Sequence, residues 1–285
     1  MAWRTWEAIR FVRRALTEAS VTPTADLEAK LLVEHATGLS PTELVTRRDQ
    51  LLDDNEETEL RNLLSKRLSH IPIAYLLGHR EFYGLDFLVD PRVLIPRPDT
   101  ETLVETVLRV TTPSPSLRLL DVCTGSGCVG ITLSRELHCP VTLADISTDA
   151  LAVADKNAQR FCDVPYTLVQ SDLFSHIDGI FDVIVSNPPY LAPSWIEEAD
   201  PQVRKEPILA LDGGSDDGLD LIRRLVPAAV EHLTPGGKLF LECDDRQINA
   251  AKRLLLANGF VNEYSEKDLT GQERVVWGEI ACTTS

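Results

Sequence analysis

The chain of 285 residues lacks most of the marks that would place it outside ordinary globular proteins. Its six cysteines, Cys123, Cys128, Cys139, Cys162, Cys243 and Cys282, form no Cys-x-x-Cys pair, and no histidine cluster stands at ligand spacing, so no metal site is expected. A disulfide framework does not suit a chain of this size without a secretion signal, and the thiols are read as reduced core residues. No apolar run is long enough to cross a bilayer. The first eighteen residues carry Arg4, Glu7, Arg10, Arg13 and Arg14, and lack the unbroken apolar stretch of a signal peptide. The expected setting is therefore cytoplasmic, with no membrane partner. Positive charge is also scarce: 28 Lys and Arg stand against 44 Asp and Glu, a net charge of -16. Residues 1–85 hold 11 basic and 13 acidic side chains, and the remainder holds 17 and 31. A duplex-binding surface clusters Lys and Arg. The balance therefore weighs against direct nucleic-acid binding in the acidic part, although a local basic stripe can hide inside a negative total.

What is present reads as two regions. In residues 3–70, Ile9, Val12 and Leu16, then Leu27, Leu31 and Leu32, then Leu60, Leu63, Leu64 and Leu68 recur at helical spacing. Gly38 suits a helix C-cap and Ser40-Pro41 a helix start. Trp3 and Trp6 are read as core residues of this helical domain, expected to span 1–72. Residues 73–92 alternate loosely around Gly78 and Gly84 and are read as a hairpin linker. From 117 onward strands and helices alternate, which predicts a mainly parallel sheet covered by helices on both faces, within an α/β domain expected to span 93–285. The acidic runs at Asp53-Asp54 with Glu56-Glu57 and at Asp216-Asp217 are read as solvated surface. Gly213, Gly214 and Gly218 suggest a mobile loop.

The strand Leu117–Val122 leads into Cys123-Thr124-Gly125-Ser126-Gly127. A glycine in a strand-to-helix turn lets a ligand approach the backbone where a Cβ would clash. Such a turn alone is weak evidence for a nucleotide. Asp145, however, ends the second strand and can accept both ribose hydroxyls of a nucleoside, and Asp172 near the third strand end can reach an adenine edge. Acidic residues at successive strand ends suit S-adenosylmethionine, a sulfonium without phosphate, better than NAD, whose pyrophosphate favours fewer carboxylates and a fuller Gly-x-Gly-x-x-Gly. The competing reading is a plain tight turn with acidic helix caps.

The strand Asp182–Ser186 runs into Asn187-Pro188-Pro189-Tyr190. An amide or exocyclic amine nitrogen is a poor nucleophile because its lone pair is delocalised. Its two N–H groups need acceptors that aim the lone pair at the methyl carbon. Asn187 offers a side-chain oxygen and Pro188 a carbonyl. The consecutive prolines fix that backbone in advance, and Tyr190 offers a flat face for stacking. Transfer from a sulfonium is driven mainly by positioning and electrostatics. The competing reading is an ordinary proline-rich loop.

With these motifs in place, the chain resembles the HemK-type (PrmC) peptide chain release factor N5-glutamine methyltransferase family. The likeness is carried further by Pro72-Ile73-Ala74-Tyr75-Leu76-Leu77-Gly78 with Arg80-Glu81-Phe82-Tyr83, by Leu94-Ile95-Pro96-Arg97-Pro98-Asp99-Thr100-Glu101, and by Glu206-Pro207 with Ala210-Leu211. The resemblance implies a class I, Rossmann-like, seven-stranded methyltransferase domain and a small all-helical N-terminal domain that helps grip the substrate, joined by a β-hairpin. It implies S-adenosyl-L-methionine as cofactor and S-adenosyl-L-homocysteine as product. The implied substrate is the Gln of the Gly-Gly-Gln tripeptide in class 1 peptide chain release factors, and the implied enzyme is a monomer. Cofactor contacts are expected at Asp121, Cys123, Thr124, Gly125, Ser126, Gly127, Asp145, Ile146, Asp172, Leu173 and Asn187, and substrate contacts at Asn187, Pro188, Pro189 and Tyr190. Two positions depart from the family pattern. Cys123 stands where Gly is usual, and Leu173 stands where some members carry an aromatic.

Two other functions stay open at this level. A nucleic-acid amine methyltransferase acting on adenine N6 or guanine N2 would use the same acceptor geometry, with a basic track for phosphates beside Tyr190. A binding module that kept the fold would show a broken cofactor turn or a lost Asn187, and neither is seen. Arg97, Asp99 and Thr100 can approach the cofactor or simply form a proline-bounded helix start, and Trp195 can pack over substrate or inside the protein.

Overall fold

The computed structural model describes residues 3–282. The two residues before and three after, which the expected bounds 1–72 and 93–285 include, lie outside that range. Two compact units are present: one runs to Gly78 and takes in Pro201–Lys205, and the other holds His79–Asp200 and continues from Glu206.

The first unit is all helical: α1 (Thr5–Glu18), α2 (Ala25–Thr37), α3 (Pro41–Thr46), α4 (Asp54–Leu68) and α5 (Ile73–Leu77). Ala8, Val12 and Leu16 of α1, Leu32 and Val33 of α2, and Leu60, Leu63 and Leu64 of α4 close one core. Trp3 and Trp6 are only half-buried, contrary to expectation. Trp3 lies at the rim, its ring tilted 35° against that of Phe11 and covered by the Arg61 guanidinium 4.2 Å from its ring centre. The acidic run at 53–57 is not idle surface. Asp53 caps α4, accepting from the Asn55 and Glu56 N–H groups at 2.8 Å, and the Glu56 carboxylate accepts the Asp53 N–H at 2.7 Å. Arg67 is fully buried against Glu28, with Nε to Oε2 at 2.6 Å and Nη2 to Oε1 at 3.2 Å. Both charges are thus paired where an unpaired one would be strongly destabilising. Residues 73–77, expected in the hairpin, form α5 instead, ended by Gly78 in the left-handed conformation.

The second unit opens with β1 (His79–Phe82) and β2 (Leu85–Leu88), an antiparallel pair turning on Tyr83 and Gly84, both at positive φ as a type I′ hairpin turn requires. The rest is built from α6 (Pro98–Val110), β3 (Leu119–Val122), α7 (Cys128–Leu137), β4 (Val141–Asp145), α8 (Thr148–Phe161), β5 (Tyr166–Gln170), β6 (Phe181–Ser186), α9 (Pro193–Glu198), α10 (Asp220–Glu231), β7 (Leu233–Glu242), α11 (Ile248–Ala257), β8 (Phe260–Lys267) and β9 (Glu273–Ile280). The seven-stranded sheet has the order β5-β4-β3-β6-β7-β9-β8, in which β9 alone runs against the others, pairing antiparallel with both β7 and β8.

Both faces of this sheet are covered, and the strands show it residue by residue. Leu120 and Ile184 face a core shared with α10 and α11, whereas Leu119, Val183 and Val185 face one shared with α6 and α7. Strand order reverses between β3 and β6, so their carboxyl ends open a crevice. The hairpin is tied to this crevice by Asn157 of α8. Its Oδ1 accepts the Leu88 N–H at 2.8 Å, and its Nδ2 donates to the carbonyls of Leu88 at 3.0 Å and Ser126 at 2.9 Å.

Candidate active site

A cavity of about 300 Å³ lies at the carboxyl ends of β3, β4 and β6. The turn after β3 forms one wall. Asp121, buried at the end of β3, accepts the Thr124 hydroxyl at 2.6 Å and the Gly130 N–H at 2.9 Å on the same oxygen. Burial lifts its carboxyl to about 7, against the pull of those two donors. Asp121 therefore shapes the turn while lining the cavity. Cys123 (φ +60°) and Gly125 (φ +55°) take left-handed conformations. A Cβ on Gly125 would meet no protein atom within 4 Å, so its missing side chain opens onto free space. Cys123, Thr124 and Ser126 also line the cavity, whereas Gly127 does not, and a Cβ there would lie 2.6 Å from the Ile131 side chain. The Ser126 hydroxyl is buried without a partner among the described residues.

Asp145 ends β4, its Oδ2 accepting the Gly125 N–H and its Oδ1 the Ser147 N–H, both at 2.9 Å. Burial raises its carboxyl, and these N–H groups oppose the rise. Ile146 lines the wall beside it and is 47% exposed, a large apolar face left open at a cavity edge. Asp172 and Leu173 complete this side, with Asp172 held by Arg224 of α10 at 2.7 Å. Arg224 carried no signal in the sequence, because α10 enters the chain long after the third strand.

The loop after β6 forms the opposite wall. Asn187 and Pro189 line the cavity; Pro188 and Tyr190 do not. The Asn187 Nδ2 donates to Thr100 Oγ1 at 3.2 Å, and no group among the described residues donates to its Oδ1. None donates to the Pro188 carbonyl either. Tyr190 departs from the stacking role expected of it. Its ring packs against the core beneath, and its hydroxyl donates to Glu242 Oε1 at 3.1 Å. Burial first, and the Glu242 carboxylate second, push the phenol well above its ordinary range. Glu242 is itself buried and lifted to about 7.

Three further supports were not legible in the sequence. Gln247 Nε2 donates to the carbonyls of Tyr190 at 2.7 Å and Asp217 at 2.6 Å. The glycine loop expected to be mobile is packed under Tyr190: a Cβ on Gly218 would lie 2.1 Å from the Tyr190 carbonyl oxygen. Asp217, read as solvated surface, accepts from Arg223 and from the Leu219 N–H, which hold its carboxyl below the usual range. Arg97 and Thr100 both line the cavity, and Arg97 pairs with the buried Glu206, which also accepts the Ile95 N–H at 2.9 Å. Trp195 is absent from the lining and lies under the Arg246 guanidinium, 3.5 Å from its ring centre. Among the described residues no group of three or more His, Cys, Asp or Glu is placed to hold a metal, and no helix is long and apolar enough to cross a membrane.

Comparison with known proteins fits this architecture. Residues 98–202 match the family model of the methyltransferase small domain, and residues 7–78 that of the PrmC N-terminal domain. A solved methyltransferase from Pyrococcus furiosus superposes with a TM-score of 0.54 at 21% identity, covering 77% of this chain and 98% of its own. Sheet order, crevice and family model together define a Rossmann-like methyltransferase. A release factor glutamine methyltransferase of Geobacter sulfurreducens is 40% identical over 281 residues, 98% of this chain and 97% of its own. One of Koribacter versatilis is 38% identical over 265 residues, 92% of this chain and 93% of its own. The chain belongs to the release factor glutamine methyltransferases.

Proposed function

We propose that this enzyme transfers the methyl group of S-adenosyl-L-methionine to the side-chain amide nitrogen of the Gln in the Gly-Gly-Gln tripeptide of class 1 peptide chain release factors. The observation that carries the reading is Asn187. With Nδ2 engaged by Thr100, its free Oδ1 is an acceptor at the same cavity that Gly125 and Asp145 line.

The residues present suit the cofactor. The gap at Gly125 leaves room for a ligand against the backbone. Asp145 retains lone pairs for ribose hydroxyls, and Ile146 and Leu173 offer aliphatic faces to the base. When bound, the sulfonium supplies an activated methyl carbon.

The chain's own part is to orient the acceptor. One amide hydrogen of the substrate Gln points to Asn187 Oδ1 and the other to the Pro188 carbonyl, which turns the nitrogen lone pair toward the methyl carbon. Both oxygens are held before substrate arrives, so little ordering entropy is lost on binding. Nothing observed favours a nucleic-acid base as acceptor. The test is methyl transfer to a release factor and to its Gln-to-Ala variant: labelling of the first alone is expected, and equal labelling of both would end this reading.

A further inference from the structure

From Glu206 to Asp212 the chain forms a short strap beside the acceptor loop. Its first end is fixed by Glu206, which is buried, accepts the Ile95 N–H at 2.9 Å on Oε2 and pairs with Arg97 on Oε1. Its far end is fixed to Leu191, which follows the acceptor loop directly. The Leu191 N–H donates to the Leu211 carbonyl and the Gly213 N–H to the Leu191 carbonyl, both at 2.9 Å. The turn between these ends is closed on itself. The Ala210 N–H donates to the Pro207 carbonyl at 2.9 Å, and the Leu211 and Asp212 N–H groups donate to the Ile208 carbonyl at 3.0 and 2.9 Å. With those backbone groups engaged internally, what the turn presents is its apolar side chains. Pro207, Leu209 and Ala210 line the cavity together with Asn187 and Pro189. Leu209 is nevertheless 55% exposed, and Ile208 beside it 60%. A residue that lines a cavity and still faces solvent stands at its mouth.

We propose that Leu209 is a specificity-determining residue that packs on the substrate main chain beside the acceptor Gln and admits that chain only where the residue before the Gln is glycine. The inference rests on the glutamine reading above. A glutamine side chain reaches only about 5 Å from its α-carbon to its amide nitrogen, over four bonds of roughly 1.5 Å. With that nitrogen held at Asn187, the substrate main chain must lie at the lip of the cavity, where Leu209 stands. Main chain gains from an apolar neighbour only by lying close to it. Glycine permits that approach, whereas a Cβ would meet the leucine side chain. The strap is fixed at both ends and closed within, so it does not draw back from such a clash. The segment Pro207-Ile208-Leu209-Ala210 also carries no charge, and Arg97 beside it is already paired with Glu206. A phosphodiester chain would find no free cation on the strap, so a peptide is the occupant that this lip fits.

The test uses the full chain, the release factor, and a release factor variant with alanine in place of the glycine before the Gln. The wild-type enzyme is expected to methylate the alanine variant at least tenfold less efficiently in kcat/KM. Leu209→Ala is expected to raise KM for the unaltered release factor about tenfold, with the loss carried by KM more than by kcat, and to narrow the glycine preference to about threefold or less. Leu209→Met, which restores the bulk, is expected to recover both. Calorimetric binding of S-adenosyl-L-homocysteine is expected to stay within about twofold of wild type in both variants. Equal efficiency of the wild type on the two release factors, or a preference as strong in Leu209→Ala as in the wild type, overturns the proposal. A loss of cofactor affinity as large as the rise in KM also overturns it, because the strap would then serve to cover the cofactor. If the wild-type enzyme labelled no release factor at all, the substrate reading would fall and this proposal with it. Labelling by the wild type with an unmoved preference in the variant removes the role of Leu209 alone.

Discussion

The turn after β3 is held from within 31 residues in sequence, by Asp121, by Asp145 at Gly125 and by Asn157 at Ser126. Asp121 reaches three residues ahead to Thr124 and nine to Gly130, and the turn takes its shape from left-handed backbone at 123 and 125. At the end of β6, one sheet position away, the chain is held from a distance. Thr100 stands 87 residues from Asn187, Glu242 stands 52 from Tyr190, and Gln247 stands 57 from it. The contrast fits the two tasks. A cofactor site needs room beside the backbone, which local conformation supplies. An acceptor site needs one carboxamide turned the right way round, and that takes side chains brought in from elsewhere in the fold.

The sharpest way to break this division of labour is Asn187→Ala. It removes the acceptor and leaves the glycine turn intact. Single-turnover rates should fall about a thousandfold, ~4 kcal/mol, as when one preorganised hydrogen-bonding group is lost. Equilibrium binding of S-adenosylmethionine should weaken by no more than about threefold. A larger loss in binding than in rate would mean that the loop after β6 serves mainly the cofactor.

The turn after β3 has its own signature in pH. Asp121 is lifted from 3.8 to about 7 by burial. Between those values the folded chain keeps a proton that the unfolded chain has released. Stability from this group is thus fully present below pH 3.8, declines as pH rises, and is gone above about 7. Asp121→Asn cannot titrate, yet its oxygen can still accept from Thr124 and Gly130. Urea unfolding should therefore fall less steeply from pH 4 to 7 in the variant, by on the order of 2–4 kcal/mol over the range. Glu242, also lifted to about 7, titrates in the same window and leaves a residual slope. Equal slopes in the two proteins would show that Asp121 stays ionised in the fold.

Asp145→Ala moves to the border between the two regions. It frees the Gly125 and Ser147 N–H groups and removes the ribose acceptor. Cofactor affinity should drop roughly thirtyfold, about 2 kcal/mol, with kcat at saturating cofactor nearly unchanged. A fall in kcat with unchanged affinity would assign Asp145 to chemistry instead.

The same contrast explains what could be read from the sequence. The parallel sheet, the glycine turn and Asp145 were legible because strand alternation, a glycine-bearing turn and an acid at a strand end are signals within a few residues of one another. Asn187 was legible because its four-residue string follows a buried strand directly. Its supports were not. Glu242 looks like the end of an ordinary strand, Gln247 like the start of a helix and Arg224 like a surface charge on α10, until the sheet brings them together. Gly213 and Gly218 misled for a related reason. Glycine signals both mobility and close approach, and only the position of Tyr190 shows that here it is the latter. At 73–77 the loose alternation of apolar residues fitted a strand as well as the short helix α5, an ambiguity that brief apolar runs carry by nature.

The smallest test asks how far the turn after β3 tolerates a side chain. Cys123 occupies a left-handed position, φ +60°, where a Cβ crowds the backbone. Its side chain also packs on the core beneath the turn. A single replacement would mix the two effects. Cys123→Ala loses the sulfur and keeps the Cβ, whereas Cys123→Gly loses both. The difference between the two variants isolates the backbone contribution, and Cys123→Gly should be the more stable by about 1 kcal/mol in urea unfolding, despite the added freedom of its unfolded chain. If Cys123→Ala proved the more stable, the turn would be held firmly enough by Asp121 and Asp145 that a Cβ at 123 costs it nothing.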